Sequence, residues 1–337
     1  MKKTYIIGEI GINHNGKLIN CLKLIKTASK CGVDAVKFQN WIAEDFISDK
    51  NQIFKYQSRG KKIKETFYNL CKRTELKKKW LKTLNSYCKK NNVDFLSTPT
   101  SNKGVDELKK LKVKYMKNGS DYLTNIDLIK YMAKNFKNII LSTGMSYEED
   151  IDIAIKSIKS LKKNNNIILL HCTSIYPTKK ESTNLNRMLA IKQKFNTQIG
   201  FSDHTIGWES AVQAVSMGAS FLEKHITLDH KMSGPDHWFS LNPKELKNYV
   251  DKVRDAEKAL GSNKIIPDKY EMKNLKEQRL SVIIDCDVKK GQRLKKDYIK
   301  FKKPGTGISP NKIEKFLGKK LKQDVKKNSV LLEKYFK

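Results

Sequence analysis

Arginine is scarce in this chain of 337 residues. Of its 68 basic residues only six are arginine (Arg59, Arg73, Arg187, Arg254, Arg279 and Arg293), so lysine supplies nearly all of a formal net charge of +33. Base readout and bidentate phosphate clamping favour the planar guanidinium. The lysines also run along the whole length, at 61–62, 77–79, 109–110, 162–163, 319–320 and 326–327, instead of gathering into one stripe. The excess therefore reads as a solvated surface, and no nucleic-acid partner is expected. Long apolar runs are missing as well: stretches such as 167–170 fall far short of the roughly 18 residues a membrane helix needs. The opening Met1-Lys2-Lys3 resembles a signal peptide only until Gly8 and Glu9 interrupt the apolar stretch. That segment reads as a first strand, and the chain is expected to be cytoplasmic with no membrane partner. The six cysteines form no C-x-x-C pair, which favours reduced, buried thiols over disulfides. There is no P-loop and no G-x-G-x-x-G, so nucleotide chemistry has no support. Gly200-Phe201-Ser202-Asp203-His204 is close to a nucleophile elbow but ends in His, and a Ser-His-Asp triad needs its members apart in sequence.

What is present is a repeated pattern. Short apolar or β-branched runs at 5–10, 34–39, 94–98, 114–118, 138–143, 167–173, 198–204 and 220–226 are each followed by a stretch of helical period. In the first such helix Leu18, Leu22, Ile25 and Ala28 share a face, and after the fifth strand Ile151, Ile155 and Ile158 do the same. Eight βα units in about 260 residues fit a closed (β/α)8 TIM barrel better than an open doubly wound sheet. The stretch from Trp41 to about Lys77 interrupts the pattern and reads as a polar loop able to lid a site. A helix is expected near 243–260. Beyond it the expected division is a barrel over 1–262, a charged linker over 263–278, and a small β-rich domain over 279–337 with Gly turns around Gly291 and Pro304-Gly305.

In such a barrel the reactive groups sit where strands end and βα loops begin. A buried parallel strand should be apolar throughout, yet all eight runs end in polar residues. They supply Glu9, Lys37 with Gln39, Thr98, Lys117 with Ser120, Ser142, His171 with Ser174 and Tyr176, Ser202 with His204, and Glu223 with His225. Two lysines from different strands among hydroxyls at Thr98, Ser120, Ser142 and Ser202 suit an anion such as phosphate or carboxylate. His204 and His225 end adjacent strands and could share one divalent cation, with water and substrate completing its shell. His171 reads equally well as a structural residue. Glu9 reads either as a general acid/base or as a partner for a lysine.

Together these segments resemble the sialic acid synthase family. The resemblance is carried by E-I-G-I-N-H-N-G from Glu9, V-K-F-Q from Val36, L-S-T-P from Leu96, L-S-T-G-M from Leu141 and L-H-C-T-S-I-Y-P from Leu170. G-F-S-D-H-T from Gly200, L-E-K-H from Leu222 and S-G-P-D-H from Ser233 complete it. The segments come in the family's order, and the tail from about Arg279 is similar to its antifreeze-like (SAF) domain. The resemblance implies condensation of phosphoenolpyruvate with an N-acetylhexosamine such as N-acetylmannosamine, giving a nine-carbon 2-keto acid and phosphate. It implies that Lys37, Thr98, Lys117, Ser120, Ser142 and Ser202 hold phosphoenolpyruvate. His204 and His225 would bind a divalent metal ion, Mn2+ or Mg2+, with Glu9 beside them, and Gln39, Tyr176 and Asp236 would bond the sugar. A domain-swapped homodimer is implied too. Two positions depart from the family: Lys303, before Pro304-Gly305, stands where an arginine often reaches the partner's sugar site, and Ser174 stands where some members carry asparagine. The expected activity is N-acetylneuraminate synthase. The alternatives are a legionaminic or pseudaminic acid synthase using a di-acetamido hexose, and, in another class, a non-catalytic polyanion-binding protein.

Overall fold

The protein is described here by a computed structural model covering residues 3–336. It divides into two compact units, the first ending at Gly261 and the second beginning at Ser262. In chain order the strands are β1 (Tyr5–Gly11), β2 (Ala35–Asn40), β3 (Ile53–Ser58), β4 (Lys61–Thr66), β5 (Asp94–Pro99) and β6 (Met116–Lys117). They continue with β7 (Asn138–Ser142), β8 (Asn166–Cys172), β9 (Gln198–Asp203), β10 (Phe221–His225), β11 (Ser281–Ile284) and β12 (Ile299–Lys302). Eight of them make one parallel sheet in the order β5-β2-β1-β10-β9-β8-β7-β6. Its end strands β5 and β6 lie against each other, so the sheet rolls into a nearly closed (β/α)8 barrel, as the count of βα units predicts.

The period of two along a strand explains what this barrel does with its interior. Ile7, Ala35, Leu96, Ile140, Leu170 and Phe221 point inward and close an apolar plug. Their chain neighbours Ile6, Val36, Phe95, Ile139, Leu169 and Leu222 point outward into the larger core under the helices. Two residues beyond the plug, the same inward rows carry Glu9, Lys37, Thr98, Ser142, Cys172 and Glu223, all buried. The apolar floor thus sets a polar layer directly above it.

Several elements differ from the sequence reading. The fourth barrel strand is only Met116–Lys117, because after the Asn118 N–H, which donates to the Ile140 carbonyl at 3.1 Å, side chains replace the ladder. The Asn118 amide oxygen accepts the Ser142 N–H at 2.8 Å, and Lys117 Nζ donates to the Asn118 carbonyl at 2.9 Å. The Leu18–Cys31 helix buries Cys21, Leu24, Ile25, Ala28 and Cys31, leaving Leu18 and Leu22 half-buried at its edge. The buried face thus includes two small thiols in place of the two leucines, and that of Cys31 donates to the Pro243 carbonyl at 3.4 Å. The stretch after β2 is not a polar loop: it holds a helix at Ala43–Phe46, the antiparallel hairpin β3–β4 and a helix at Phe67–Arg73. Along β3, Phe54, Tyr56 and Ser58 face one way and Ile53, Lys55 and Gln57 face solvent. The lysines masked an alternating strand.

The helix Pro243–Leu260 forms as expected, its N-terminus closed by a reciprocal capping box between Asn242 and Glu245. The second unit contains a helix, Glu271–Gln278, where a linker was expected. Its β11–β12 pair and short bridges enclose a core of Val282, Ile284, Val288, Leu294, Ile308, Leu321, Val325 and Leu331. Among the described residues no helix is long and apolar enough to cross a membrane.

Candidate active site

Four ionisable side chains make the floor of the barrel mouth. Lys37 Nζ lies 3.0 Å from Glu9 Oε2 and 3.8 Å from Glu223 Oε2, and donates to Thr98 Oγ1 at 3.2 Å. Lys117 Nζ lies 3.7 Å from Glu223 Oε2 and donates to Ser142 Oγ. The Ser202 hydroxyl donates to Glu223 Oε1 at 3.1 Å. Charges therefore alternate Glu9, Lys37, Glu223, Lys117 across β1, β2, β10 and β6. Burial pushes the Glu9 carboxyl up to about 7, against the pull of Lys37. Burial also works to raise Glu223, but Lys117 and Lys37 outweigh it and hold that carboxyl down at about 2. Two carboxyls set apart in this way divide into a proton carrier, Glu9, and a permanent anion, Glu223. Lys117 is lowered by burial, while Lys37 is raised because its two glutamates overcome the same cost.

Above this floor stand two imidazoles whose ring centres are 5.7 Å apart at 71°. His204 Nδ1 is 2.8 Å from the Thr173 carbonyl oxygen; donation there leaves Nε2 as the lone-pair nitrogen, 3.3 Å from Ser202 Oγ. Burial, with His204 and Lys37 adding to it, drives the His225 pKa well below its usual value, so the ring is neutral. The Tyr176 ring lies 4.1 Å from His204 and 5.5 Å from His225, and Phe239 lies 5.6 Å from His225. These contacts fix the orientation of both rings.

Unpartnered buried polar atoms show where a ligand is wanted. Glu9 Oε1, Glu223 Oε2 and His225 Nδ1 have no hydrogen-bond partner, and the Asp236 carboxylate is 3.8 Å from His225 Nδ1. All three atoms belong to residues lining one cavity of about 410 Å³. A larger cavity of about 560 Å³ lies beneath Tyr147 and Arg187, but none of the unpartnered atoms belongs to its walls. Among the described residues no group of three or more His, Cys, Asp and Glu side chains forms a ready-made metal cage. The two imidazoles, with Nδ1 of His225 unpartnered, nevertheless fit a divalent cation whose remaining positions go to water and substrate. Against burial, Cys172 and the Thr173 carbonyl raise the His204 pKa, so a cation there would displace a proton from that ring.

The structure brings Glu9, Lys37, Gln39, Thr98, Lys117, Ser120, Ser142, Ser174, Tyr176, Ser202, His204, His225 and Asp236 to the walls of that one cavity. Lys303 belongs to the second unit, where it is exposed and donates to Gln278 Oε1 at 2.6 Å. His171 faces the helices: its Nε2 is 2.7 Å from the Thr183 carbonyl oxygen and its ring stacks on Phe201. Of its two readings the structural one holds. Gly144 shows how tightly the rim is drawn, since a Cβ there would come within 2.3 Å of Ser174 Oγ and 2.8 Å of Ser120 Oγ. Sequence reasoning noted Glu223 at a strand end but gave it no role, although it lies two residues before His225 and must share its face. It passed over Asp121 and the aromatic residues Trp41, Phe46, Phe54 and Phe67, which line the same cavity.

A barrel with this charged floor, its histidine pair and a following small β domain can be compared with known proteins. Residues 24–265 match the NeuB family, and residues 281–336 match the SAF domain. The chain belongs to the NeuB family. It is 40% identical to N,N'-diacetyllegionaminic acid synthase of Campylobacter jejuni over 99% of this chain and 100% of that protein. It is 33% identical to a pseudaminic acid synthase of the same species over 100% of this chain and 97% of the other. The crystal structure of N-acetylneuraminic acid synthetase from Leptospira borgpetersenii superposes with a TM-score of 0.72 at 32% identity, covering 81% of this chain and 90% of that one. As a NeuB family member this chain is an enzyme of the sialic-acid type, catalysing a condensation. The resemblance read from the sequence is thus correct at the level of family and fold. The N-acetylneuraminate reading is the less supported of the alternatives, since the diacetyllegionaminic relative matches at higher identity.

Proposed function

We propose that this enzyme condenses phosphoenolpyruvate with an N-acetylated amino sugar, a di-acetamido hexose in preference to N-acetylmannosamine, to give a legionaminic-type nine-carbon 2-keto acid and phosphate. The observation that carries this reading is the alternating Glu9–Lys37–Glu223–Lys117 floor beneath the paired imidazoles of His204 and His225. Lys37 and Lys117, with the hydroxyls of Thr98, Ser120, Ser142 and Ser202, take the phosphate and carboxylate of the donor. Gln39, Ser174, Tyr176 and Asp236 bond the sugar and hold its aldehyde over the donor's methylene carbon. That carbon attacks the aldehyde carbon, the aldehyde oxygen takes up the electron pair as an alkoxide, and the donor's second carbon becomes cationic. Water adds there as Glu9 accepts one of its protons and returns it to the alkoxide, which becomes a hydroxyl. The C–O bond to phosphate then breaks as the remaining proton of the added water departs with the phosphate, leaving the keto group. His204 and His225 would hold a divalent cation, Mn2+ or Mg2+, which when bound supplies Lewis acidity toward the aldehyde oxygen. A domain-swapped homodimer, with Lys303 reaching a partner's site, forms part of the same proposal.

Phosphate release from phosphoenolpyruvate, followed with a panel of amino sugars and mass spectrometry of the products, tests this reading. A nine-carbon acid from the di-acetamido hexose is expected; phosphate release with no panel member would overturn it. Binding of Mn2+ can be followed apart from turnover by titration calorimetry. His225→Ala should weaken it by about 10- to 100-fold, the range seen when metal sites lose supporting groups. Equal affinity in the variant would remove His225 from the site.

A further inference from the structure

The cavity has two chemically different ends. Its floor is charged, while the wall contributed by the segment after β2 is aromatic: Trp41, Phe46, Phe54 and Phe67, continued by Tyr122. Phe46 is sandwiched, with the Trp41 ring 5.5 Å away at 10° and the Tyr122 ring 6.3 Å away at 14°. Phe54 packs on Phe67 at 5.3 Å. The indole N–H of Trp41 is already spent on the Cys71 carbonyl at 3.1 Å, so its ring offers the cavity only apolar surface. The wall is also fastened in place. At the hairpin tip Ser58 Oγ accepts the Gly234 N–H at 3.0 Å, and Arg59 Nε donates to the Lys231 carbonyl at 2.9 Å. Both bonds tie the hairpin to the loop that carries Asp236.

The ammonium groups lining the cavity are Lys37 and Lys117, both on the floor and both beside Glu223. Besides Glu9 and Glu223 the ionisable lining holds two carboxyls, Asp236 beside His225 and Asp121, which lies within the field of Lys37 and Lys117. An acceptor sugar whose aldehyde meets the donor at the floor therefore has the aromatic wall, and no further ammonium, to receive the rest of it. Aromatic faces gain from methyl groups and give nothing back for hydroxyls stripped of water. A phosphoester held against these rings would lose its water with no ammonium beside it, since both lining lysines stand on the floor.

We propose that this aromatic wall is the specificity-determining surface of the site, selecting acceptors that present acetamido methyls or a deoxy carbon over those presenting a hydroxymethyl or phosphoester. This inference rests on the condensation reading above. Its test compares the wild-type protein with Phe54→Asn and Phe54→Leu, using a di-acetamido 6-deoxyhexose, N-acetylmannosamine and N-acetylmannosamine 6-phosphate. Single apolar contacts discriminate by roughly 10- to 200-fold, so the wild type should favour the deoxy sugar by about tenfold or more in kcat/KM. Phe54→Asn should collapse that ratio to within about threefold, through KM more than kcat, and Phe54→Leu should keep most of it. A folded Phe54→Asn enzyme that lowers kcat/KM for all three sugars alike would overturn the proposal. If no sugar releases phosphate, the condensation reading falls instead. The wall is then judged by calorimetric binding of the same three sugars, with equal affinity in wild type and Phe54→Asn counting against it.

Discussion

Lys117→Ala should lower kcat/KM for phosphoenolpyruvate by about 10³-fold while leaving KM for the sugar nearly unchanged. Lys117 is almost wholly buried, and its ammonium is held by the Asn118 carbonyl, the Ser142 hydroxyl and Glu223. Burial lowers its pKa, so the free site carries this charge at a cost that a bound dianion would relieve. Truncating one member of a buried, hydrogen-bonded charge pair costs about 2–5 kcal/mol, and about 4 kcal/mol corresponds to the factor given. Folding should suffer less than binding, because Glu223 keeps Lys37 at 3.8 Å. Lys117→Arg should not rescue activity: the wider guanidinium cannot occupy a position shaped by Ser142 and Asn118. Steady-state kinetics with each substrate varied in turn, alongside urea denaturation, separates the two effects. An equal rise in both KM values would mean that Lys117 does not act on the donor.

The barrel was legible because buried parallel strands and amphipathic helices leave different periods, and eight repetitions leave little room for another fold. The polar layer was legible for the same reason: Lys37 and Thr98 break runs that burial on both faces should keep apolar. What escaped was decided by three-dimensional neighbours. Glu223 looked like one member of a charged triplet, Glu223-Lys224-His225. Only the strand's alternation separates it from Lys224, which points outward to pair with Asp203 at 2.9 Å beneath Tyr249. The β3–β4 hairpin escaped because Lys55, Lys61, Lys62 and Lys64 give its solvent face the composition of a loop. Its inward residues Phe54 and Tyr56 are too few to register as a run. The fourth strand reads as 114–118 but is only Met116–Lys117, a shortening that the sequence does not signal, since it depends on side chains of Lys117 and Asn118 taking over from the ladder.

The +33 charge acquires a narrower meaning in the structure. Exposed lysines paired at the surface, such as Lys289 with Asp324 or Lys326 with Asp287, are worth little to stability. Two lysines out of the many are buried beside carboxylates in the barrel mouth, and a positive field around the mouth favours the approach of an anionic donor.

Glu9→Gln should reduce kcat by about 10²- to 10⁴-fold, the usual worth of a positioned acid/base, and should also change the shape of two pH profiles. With its carboxyl pushed up to about 7, Glu9 exchanges a proton near neutral pH. If it accepts the proton of the attacking water, the wild-type kcat/KM rises through that pH, and the glutamine enzyme lacks the limb. The folding profile follows from the same displacement. The native protein retains a proton on Glu9 between its ordinary value of 4.5 and about 7, where the unfolded chain has lost it. This contribution to stability is therefore full below about 4.5 and is lost as pH rises through about 7. Glu223, held near 2, works in the opposite sense: its contribution is present above 4.5 and lost as pH falls through about 2. Glutamine does not titrate, so Glu9→Gln should abolish the decline toward neutrality and leave the acid side, set by Glu223, in place. Urea denaturation at pH 5, 6 and 7.5 reads the first slope, and initial rates over the same range read the limb. A glutamine enzyme that kept the ascending limb would transfer the proton-accepting role to another group, with Asp236, whose carboxyl burial raises to about 6, the next to be tested.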